Sequence, residues 1–573
     1  MGFSLSRRQF INASAKVAAV AAASRFVVIE SFAQESAGQY EAIFAPLDRF
    51  IEEYMRAMNS PGMTLVLADR DGVHRVATYG FSDTEGHIKV KPDELFHIGS
   101  ISKSFVANCI LQLHQEGKID LQKPVAEYLP WFQTDSTFAP ITTHHLLSHS
   151  AGMQGDAPVF TMPMRKYHVE YAPGAHFHYS NTAFEILGHL LWTLDQRPID
   201  VIFRERVFKP LGMTQAEPLI TLDIREKFAN SYMAYQNDRT YPLHARLAVA
   251  PGIIMTDAAG CIASPPHDMG LYVQMIASHG KGPKSTLLND ESFGLFSKAH
   301  IKADEFGPTA SYGYGIAVDT LDGHTVLRHT GGMVSFASSI HVDIDEGVGA
   351  FASINAMQGY RPTAVTQYAS QLMRAKREGK QAAKAPAATG RTEVKNASDY
   401  VGTYTSEQGR TFEIAADGEK LILVNNSHRA TLEMTGGDVF TVPDPDFQRF
   451  ALFFGRADAK DPKSAVVEAG WGSEWFTNAK YSGARKLLHP VEWDQYVGHY
   501  RNESPWIGSM RIVIRKSQLM VDGLAPLEPG PDGEFLMRDD ENNPERIRFG
   551  QVVNGRAMQL QFSGIDLWRV MTV

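Results

Sequence analysis

Apolar alternation at two widely separated places limits what this chain can fold into. Met63 to Ala68 and Val73 to Tyr79 run apolar around Asp71-Gly72, a pair with the chemistry of a tight hairpin turn. Far downstream, Tyr314 to Val318, His324 to His329, Ala337 to Val342 and Val348 to Asn355 do the same, broken by Asp322-Gly323 and Glu346-Gly347. These are antiparallel strands, and their apolar faces need cover. Two helical patterns supply it. Leu47, Phe50, Ile51, Tyr54, Met55 and Met58 keep helical spacing with Pro46 placed to start the helix, and Val365, Tyr368, Ala369, Leu372 and Met373 share one face after the last strand. From about Leu113 to Ser311 the chain reads as mostly helical. The expectation is α+β: an antiparallel sheet flanked by helices, in one domain over 38–377.

Past that domain the periodicity stops, and a stretch rich in Lys, Ala, Gly and Thr over 378–396 reads as a linker. The chain then repeats itself. Tyr400-Val401-Gly402-Thr403-Tyr404 returns as Tyr496-Val497-Gly498-His499-Tyr500, and each copy is followed by a strand and a turn. Short strands with frequent turns and no helical pattern predict two small antiparallel β-barrels, at 397–490 and 491–573. Two copies fall short of a solenoid.

At the other end, Ser6-Arg7-Arg8-Gln9-Phe10-Ile11, an apolar run from Val17 to Ala23 and Ser31-Phe32-Ala33 resemble a twin-arginine export signal over 1–33. The run is well short of the roughly 20 residues that span a bilayer. That reading sends the mature chain to a periplasm, with no membrane span once the signal is removed. A net charge of -9 over 573 residues, with no basic run interleaved with aromatics, makes nucleic acid an unsuited partner. The two cysteines, Cys109 and Cys261, allow at most one disulfide. Cys109 lies on an apolar helix face, which points to two buried thiols.

Three elements carry chemistry. Ser100 and Lys103 open a helix on which Val106, Cys109, Ile110 and Leu113 recur until Gly117. Three residues of helix place a hydroxyl beside an amine, and burial lowers a lysine from its usual value of about 10.4 toward that of a usable base. The plainer reading is a cap serine and a solvated lysine. Next, Tyr179-Ser180-Asn181 follows Pro173-Gly174: a phenol can relay a proton and an asparagine can bind a substrate amide, or Asn181 can simply cap a helix from Ala183 to Leu191. Last, Arg328-His329-Thr330-Gly331-Gly332 ends a strand, where paired glycines expose backbone N–H groups to an oxyanion or merely make a hairpin turn.

In this order, together with Leu146-Leu147-Ser148-His149-Ser150-Ala151-Gly152 and Pro210-Leu211-Gly212-Met213-Thr214, the three elements resemble the serine β-lactamase and penicillin-binding protein superfamily. The resemblance is closest to its class C β-lactamase, esterase and D-aminopeptidase branch and covers roughly Tyr40 to Arg377. The two β units resemble the lipocalin-like barrels appended to D-aminopeptidases. By that resemblance Ser100 is the acylated nucleophile, and Lys103 and Tyr179 handle its proton. Asn181, His329, Gly331 and Gly332 bind substrate, with the N–H groups of Ser100 and Gly332 forming the oxyanion hole.

One departure matters. Many β-lactamases and D-Ala-D-Ala carboxypeptidases carry a lysine where this chain has His329, and that lysine helps hold a substrate carboxylate. Histidine is mostly neutral at pH 7, so the resemblance tilts toward aminopeptidases and esterases. No cofactor is implied. His144, His145, His149, His176 and His178 come without a His-Glu-x-x-His or Cys-x-x-Cys pattern, so no metal site is expected. Ser148 to Gly152 nearly spells the nucleophile elbow of another hydrolase fold but lacks its first glycine, which leaves Ser150 a structural role. The expected activity is acyl-enzyme hydrolysis of a short peptide, amide or ester in the manner of a D-aminopeptidase, with a barrel loop limiting substrate length. The rivals are a broad esterase or β-lactamase-like hydrolase, and a non-catalytic penicillin- or peptide-binding sensor.

Overall fold

Helices close both faces of one large sheet in the computed structural model, which describes residues 37–571 except 158–165, 237, 241, 358–360, 389–390 and 539. The export signal read over 1–33 lies outside the described residues. The sheet has nine antiparallel strands in the order Ile301–Lys302, Ser311–Tyr312, Ala317–Leu321, His324–Gly332, Ala337–Asp343, Val348–Ile354, Gly62–Asp69, Gly72–Asp83 and Ile88–Lys89. The strands from the two ends of this domain, Gly62–Asp69 and Val348–Ile354, therefore pair inside the sheet. Met63 pairs with Ile354 and Val66 with Phe351, which is what two distant sets of alternating residues require if both are to bury the same faces.

The first hairpin turns one residue earlier than Asp71-Gly72 suggests. Gly72 already pairs with Asp69, and a bulge at His74 absorbs the offset. His74 Nε2 then stands 2.6 Å from the fully buried Asp69, which also accepts from the Tyr40 hydroxyl and from Arg377. Asp69 thereby ties the first helix, the turn and the closing helix together.

One face of the sheet is covered by Glu41–Ala57 and Thr363–Arg377, which bury the residues their helical spacing marked. The first of these starts before Pro46, which sits inside it. Proline cannot donate to the Ala42 carbonyl, but Ala42 is exposed, so water satisfies that acceptor. On the other face Pro266–Ala277 packs against the central strands, with Ser102–Gln115 and Asn181–Asp195 beyond it in one apolar core. The expectation of a mostly helical middle holds only in part. Among the described residues between Met213 and Pro265 there is no α-helix, because Leu219, Ile220, Ile253 and Met255 lack helical spacing and pack as an extended ribbon instead.

Among the described residues of 378–396 there is no helix or strand, yet Ala383 and Ala388 pack on the helical layer and Val394 enters the next core. Two barrel-like sheets follow. The first has nine strands and stays open between His428–Thr431 and Glu433–Gly436, whereas the second closes through eight, with His499 paired to Val570. The repeated motif has one purpose in both: the hydroxyl of Tyr404 donates to the Tyr400 carbonyl at 2.8 Å, and that of Tyr500 to the Tyr496 carbonyl at 2.8 Å. Both thiols, Cys109 and Cys261, are free and buried. No helix among the described residues is long and apolar enough to cross a membrane.

Backbone packing brings the distant chemical elements together. Gly99 has φ +54°, and a Cβ there would stand 2.8 Å from the Gly332 nitrogen, while a Cβ on Gly331 would stand 1.9 Å from the Ile98 carbonyl oxygen. Side chains would wedge the two segments apart. Gly331→Ala is therefore expected to cost about 1–3 kcal/mol in urea unfolding and to remove covalent labelling of Ser100 by an acylating probe; a variant of full stability and full labelling would contradict the close packing.

Candidate active site

Ser100 sits in a 3-10 turn, Gly99–Ile101, that runs straight into the helix Ser102–Gln115. The first N–H groups of such a helical segment have no internal acceptor, so the Ser100 N–H is available to a ligand. Lys103 lies one turn on and is completely buried. Its Nζ is 2.7 Å from Asn181 Oδ1, 2.8 Å from the Ala259 carbonyl oxygen and 3.2 Å from Ser100 Oγ. The first two partners can only accept, so they take two hydrogens of the amine. A neutral lysine then has its lone pair left for the Ser100 hydroxyl. Burial pushes Lys103 down to about 7, against the pull of Asp156 and Glu185, so that neutral form is accessible near neutral pH.

The Tyr179 ring stands 4.9 Å from Lys103 Nζ. Burial raises its phenol well above the ordinary value, opposed by its contact with the Ser100 hydroxyl and by the Arg361 guanidinium. The phenol therefore stays protonated where Lys103 does not. Of the two, Lys103 is the group whose neutral form is accessible near pH 7, while the Tyr179 phenol keeps its proton. His149 packs against Tyr179 with its ring tilted by 35° and centroids 4.2 Å apart, and takes the Ser180 N–H on Nδ1 at 3.0 Å.

The plainer reading of Asn181 as a helix cap does not hold. Ser180, not Asn181, caps the helix, its Oγ accepting from the Ala183 N–H at 3.1 Å. Asn181 is thereby freed to bridge Lys103 and Asp156, donating to Asp156 Oδ1 at 2.7 Å. Gly332 lines the cavity in front of Ser100, but Gly331 and His329 stand behind that wall. His329 is 2% exposed; its Nδ1 donates to the Thr330 carbonyl at 2.7 Å and its Nε2 accepts from the Tyr312 hydroxyl at 2.9 Å. Burial holds it down to about 3, so it carries no charge toward a substrate. The sequence expectation of His329 and Gly331 as direct substrate contacts gives way to a packing role, since strand alternation turns both inward.

The cavity measures about 690 Å³. Ser100 and Asn181 form its floor, and Asp156, Glu185 and Asp257 line it with carboxyl groups. Burial raises all three, Glu185 to about 8. Trp192, Met255 and Met333 give an apolar wall, and Trp506, Ile507 and Ile565 reach in from the second barrel. Sequence reasoning missed these acidic and barrel residues, as well as the Ala259 carbonyl and Arg361. None belongs to a periodic pattern or motif; only folding makes them neighbours. The histidines weighed as ligands are dispersed onto Tyr314, Thr142, Ser180, Tyr171 and Glu545. Among the described residues no three side chains of His, Cys, Asp or Glu gather as a metal ion requires. Ser150 bonds Ser148 in the interior, 2.9 Å between hydroxyls.

A family model described as Beta-lactamase matches residues 47–373, more than half of the chain. The chain belongs to the β-lactamase family. PbpX of Bacillus subtilis, a protein named for penicillin binding, is 26% identical over 174 residues, 29% of this chain and 43% of its own length. AmpH of Escherichia coli, named a D-alanyl-D-alanine-carboxypeptidase/endopeptidase, is 23% identical over 334 residues, 54% of this chain and 83% of its own. The solved octameric penicillin-binding protein homologue from Pyrococcus abyssi superposes with TM-score 0.53 at 21% identity, covering 75% of this chain and 99% of that one. That likeness shares the β-lactamase fold. For this member of the β-lactamase family the buried amine sets a pH dependence: a base must be deprotonated, so Ser100 acylation by a neutral ester should rise with pH and level off above about 7. Lys103→Met should lower the rate by about 10²–10⁴ and abolish that limb in a stopped-flow pH series.

Proposed function

We propose that this protein is a serine hydrolase working through an acyl-enzyme on short peptides or amides, with a free amine next to the scissile carbonyl, in the manner of a D-aminopeptidase. Ser100 Oγ attacks the carbonyl carbon as its proton passes to Lys103 Nζ. The N–H groups of Ser100 and Gly332 receive the developing oxyanion. Tyr179 relays the proton to the leaving nitrogen, whose departure leaves an ester on Ser100. Water, activated by the same lysine, then hydrolyses that ester and restores the serine.

The observation that carries the substrate class is the sign of the cavity. Asp156, Glu185 and Asp257 line it, and the family position that commonly bears a lysine holds a buried, neutral His329. A carboxyl group whose pKa is raised by burial is drawn back toward its ionised form when a cation comes beside it, so an ammonium is favoured there over a carboxylate. Trp192 and Trp506 suit an apolar side chain beside that amine, and the walls from the second barrel limit how long a peptide can be. Paired arginines at Arg7-Arg8 support export to a periplasm, where such fragments occur. A second reading has its own support: Arg361 packs on Gly332, and AmpH is named a carboxypeptidase. There a substrate carboxylate would be anchored instead.

Paired p-nitroanilides separate these. A free α-amine should improve kcat/KM about tenfold or more over its N-acetyl counterpart, as a charge-assisted contact of about 1.5–3 kcal/mol implies, and Asp257→Asn should reduce that advantage. Equal rates with and without acetylation, together with loss of cleavage when a peptide's C-terminal carboxylate is amidated, would favour the Arg361 reading. Turnover unchanged in Ser100→Ala would defeat both.

A further inference from the structure

Glu545 belongs to the second barrel but reaches the far side of the catalytic site. It is 7% exposed, and among the described residues it pairs with no lysine or arginine. A buried carboxylate in that state is costly unless its lone pairs are used. They are used. One oxygen accepts the Ser563 hydroxyl; the other accepts the Gly155 N–H at 2.5 Å and faces His178 Nε2 at 3.3 Å.

Gly155 is the residue before Asp156. Its carbonyl accepts the Thr182 N–H at 3.0 Å, so one edge of this peptide is sewn to the helix Asn181–Asp195 and the other edge to the barrel. A Cβ on Gly155 would stand 3.1 Å from Glu545 Oε1 and 3.2 Å from the Tyr179 carbonyl, which shows how closely the three segments meet. From Asp156 the line continues through Asn181 to Lys103, each link 2.7 Å. With Asp156 holding its amide nitrogen, Asn181 is oriented to present its oxygen to the lysine.

We infer that Glu545 is a positioning residue for reaction at Ser100, acting through Gly155 and Asp156 on Asn181 and Lys103, so that the second barrel helps align the base. The inference rests on the hydrolase reading above. It differs from a lid: a lid changes which substrates fit, whereas a positioning contact changes how fast a bound acyl group reacts, even one too small to touch the barrel.

The test uses the full chain and p-nitrophenyl acetate. Glu545→Ala is expected to lower the acylation rate constant about tenfold or more, with KM altered by less than about threefold. Glu545→Gln, whose amide oxygen still accepts the Gly155 N–H, is expected to keep the rate within about threefold of the parent. Arg511→Ala removes a different contact of the second barrel, the pair with Asp238 at 3.3 Å, and should leave the rate unchanged. An unchanged rate constant in Glu545→Ala, or an equal loss in Arg511→Ala, would overturn the inference while leaving the hydrolase reading intact. Should Glu545→Ala fail to fold, Glu545→Asp replaces it: one methylene shorter, it cannot reach Gly155, and a parental rate there would be equally fatal. Absence of Ser100-dependent turnover in the unaltered protein would defeat both.

Discussion

A lysine amine with no exposure to water is the constraint on which this site depends. Lys103 is 0% exposed, and an ammonium in that position is tolerated only because three acceptors surround it. Each acceptor comes from a different part of the chain: Ser100 from the same helical segment, Asn181 from the start of another helix, Ala259 from the extended ribbon. The arrangement leaves the amine near the midpoint of its titration rather than permanently charged. That is useful for moving a proton and costly for folding, so the surrounding contacts must be strong enough to hold it.

The barrels fit into the same logic. The second barrel closes a wall of the cavity with Trp506, Ile507 and Ile565 and meets the segment before Tyr179 through Glu545, Arg538 and Arg546. The first is fastened further away, where the Leu243 N–H donates to Glu433 at 2.6 Å. One barrel thus touches the chemistry and the other supports the approach. A cavity built between domains gains walls that the catalytic domain alone lacks, and those walls set the size and polarity of what can enter.

Much of the architecture was legible in the residues. Alternation at Met63 to Tyr79 and at Tyr314 to Asn355 carried the sheet, since a strand must present one face to a core. The Tyr-Val-Gly repeat carried the two barrels, since the same tyrosine hydroxyl closes the same turn twice. Less legible were places where context overrides a local rule. Pro46 sits inside its helix because the orphaned carbonyl faces water, and the hairpin turn moves by one residue because a bulge at His74 is held by Asp69. Between Met213 and Pro265 no period exists to read, and extended packing follows.

By itself the sequence determined the order of the chemical elements, Ser100 with Lys103, then Tyr179, then the strand ending in Gly332, because their local spacing and glycines are properties of short segments. It also determined that the histidine at 329 would not supply a fixed positive charge. Only the tertiary structure decided that this histidine lies behind the cavity, that Asn181 bridges Lys103 and Asp156, that three carboxyl groups line the cavity and that Glu545 arrives from the far end of the chain. Those are facts of proximity between segments from 25 to 390 residues apart, and burial, which shifts Lys103 and Glu185 toward neutrality, exists only once the segments have met.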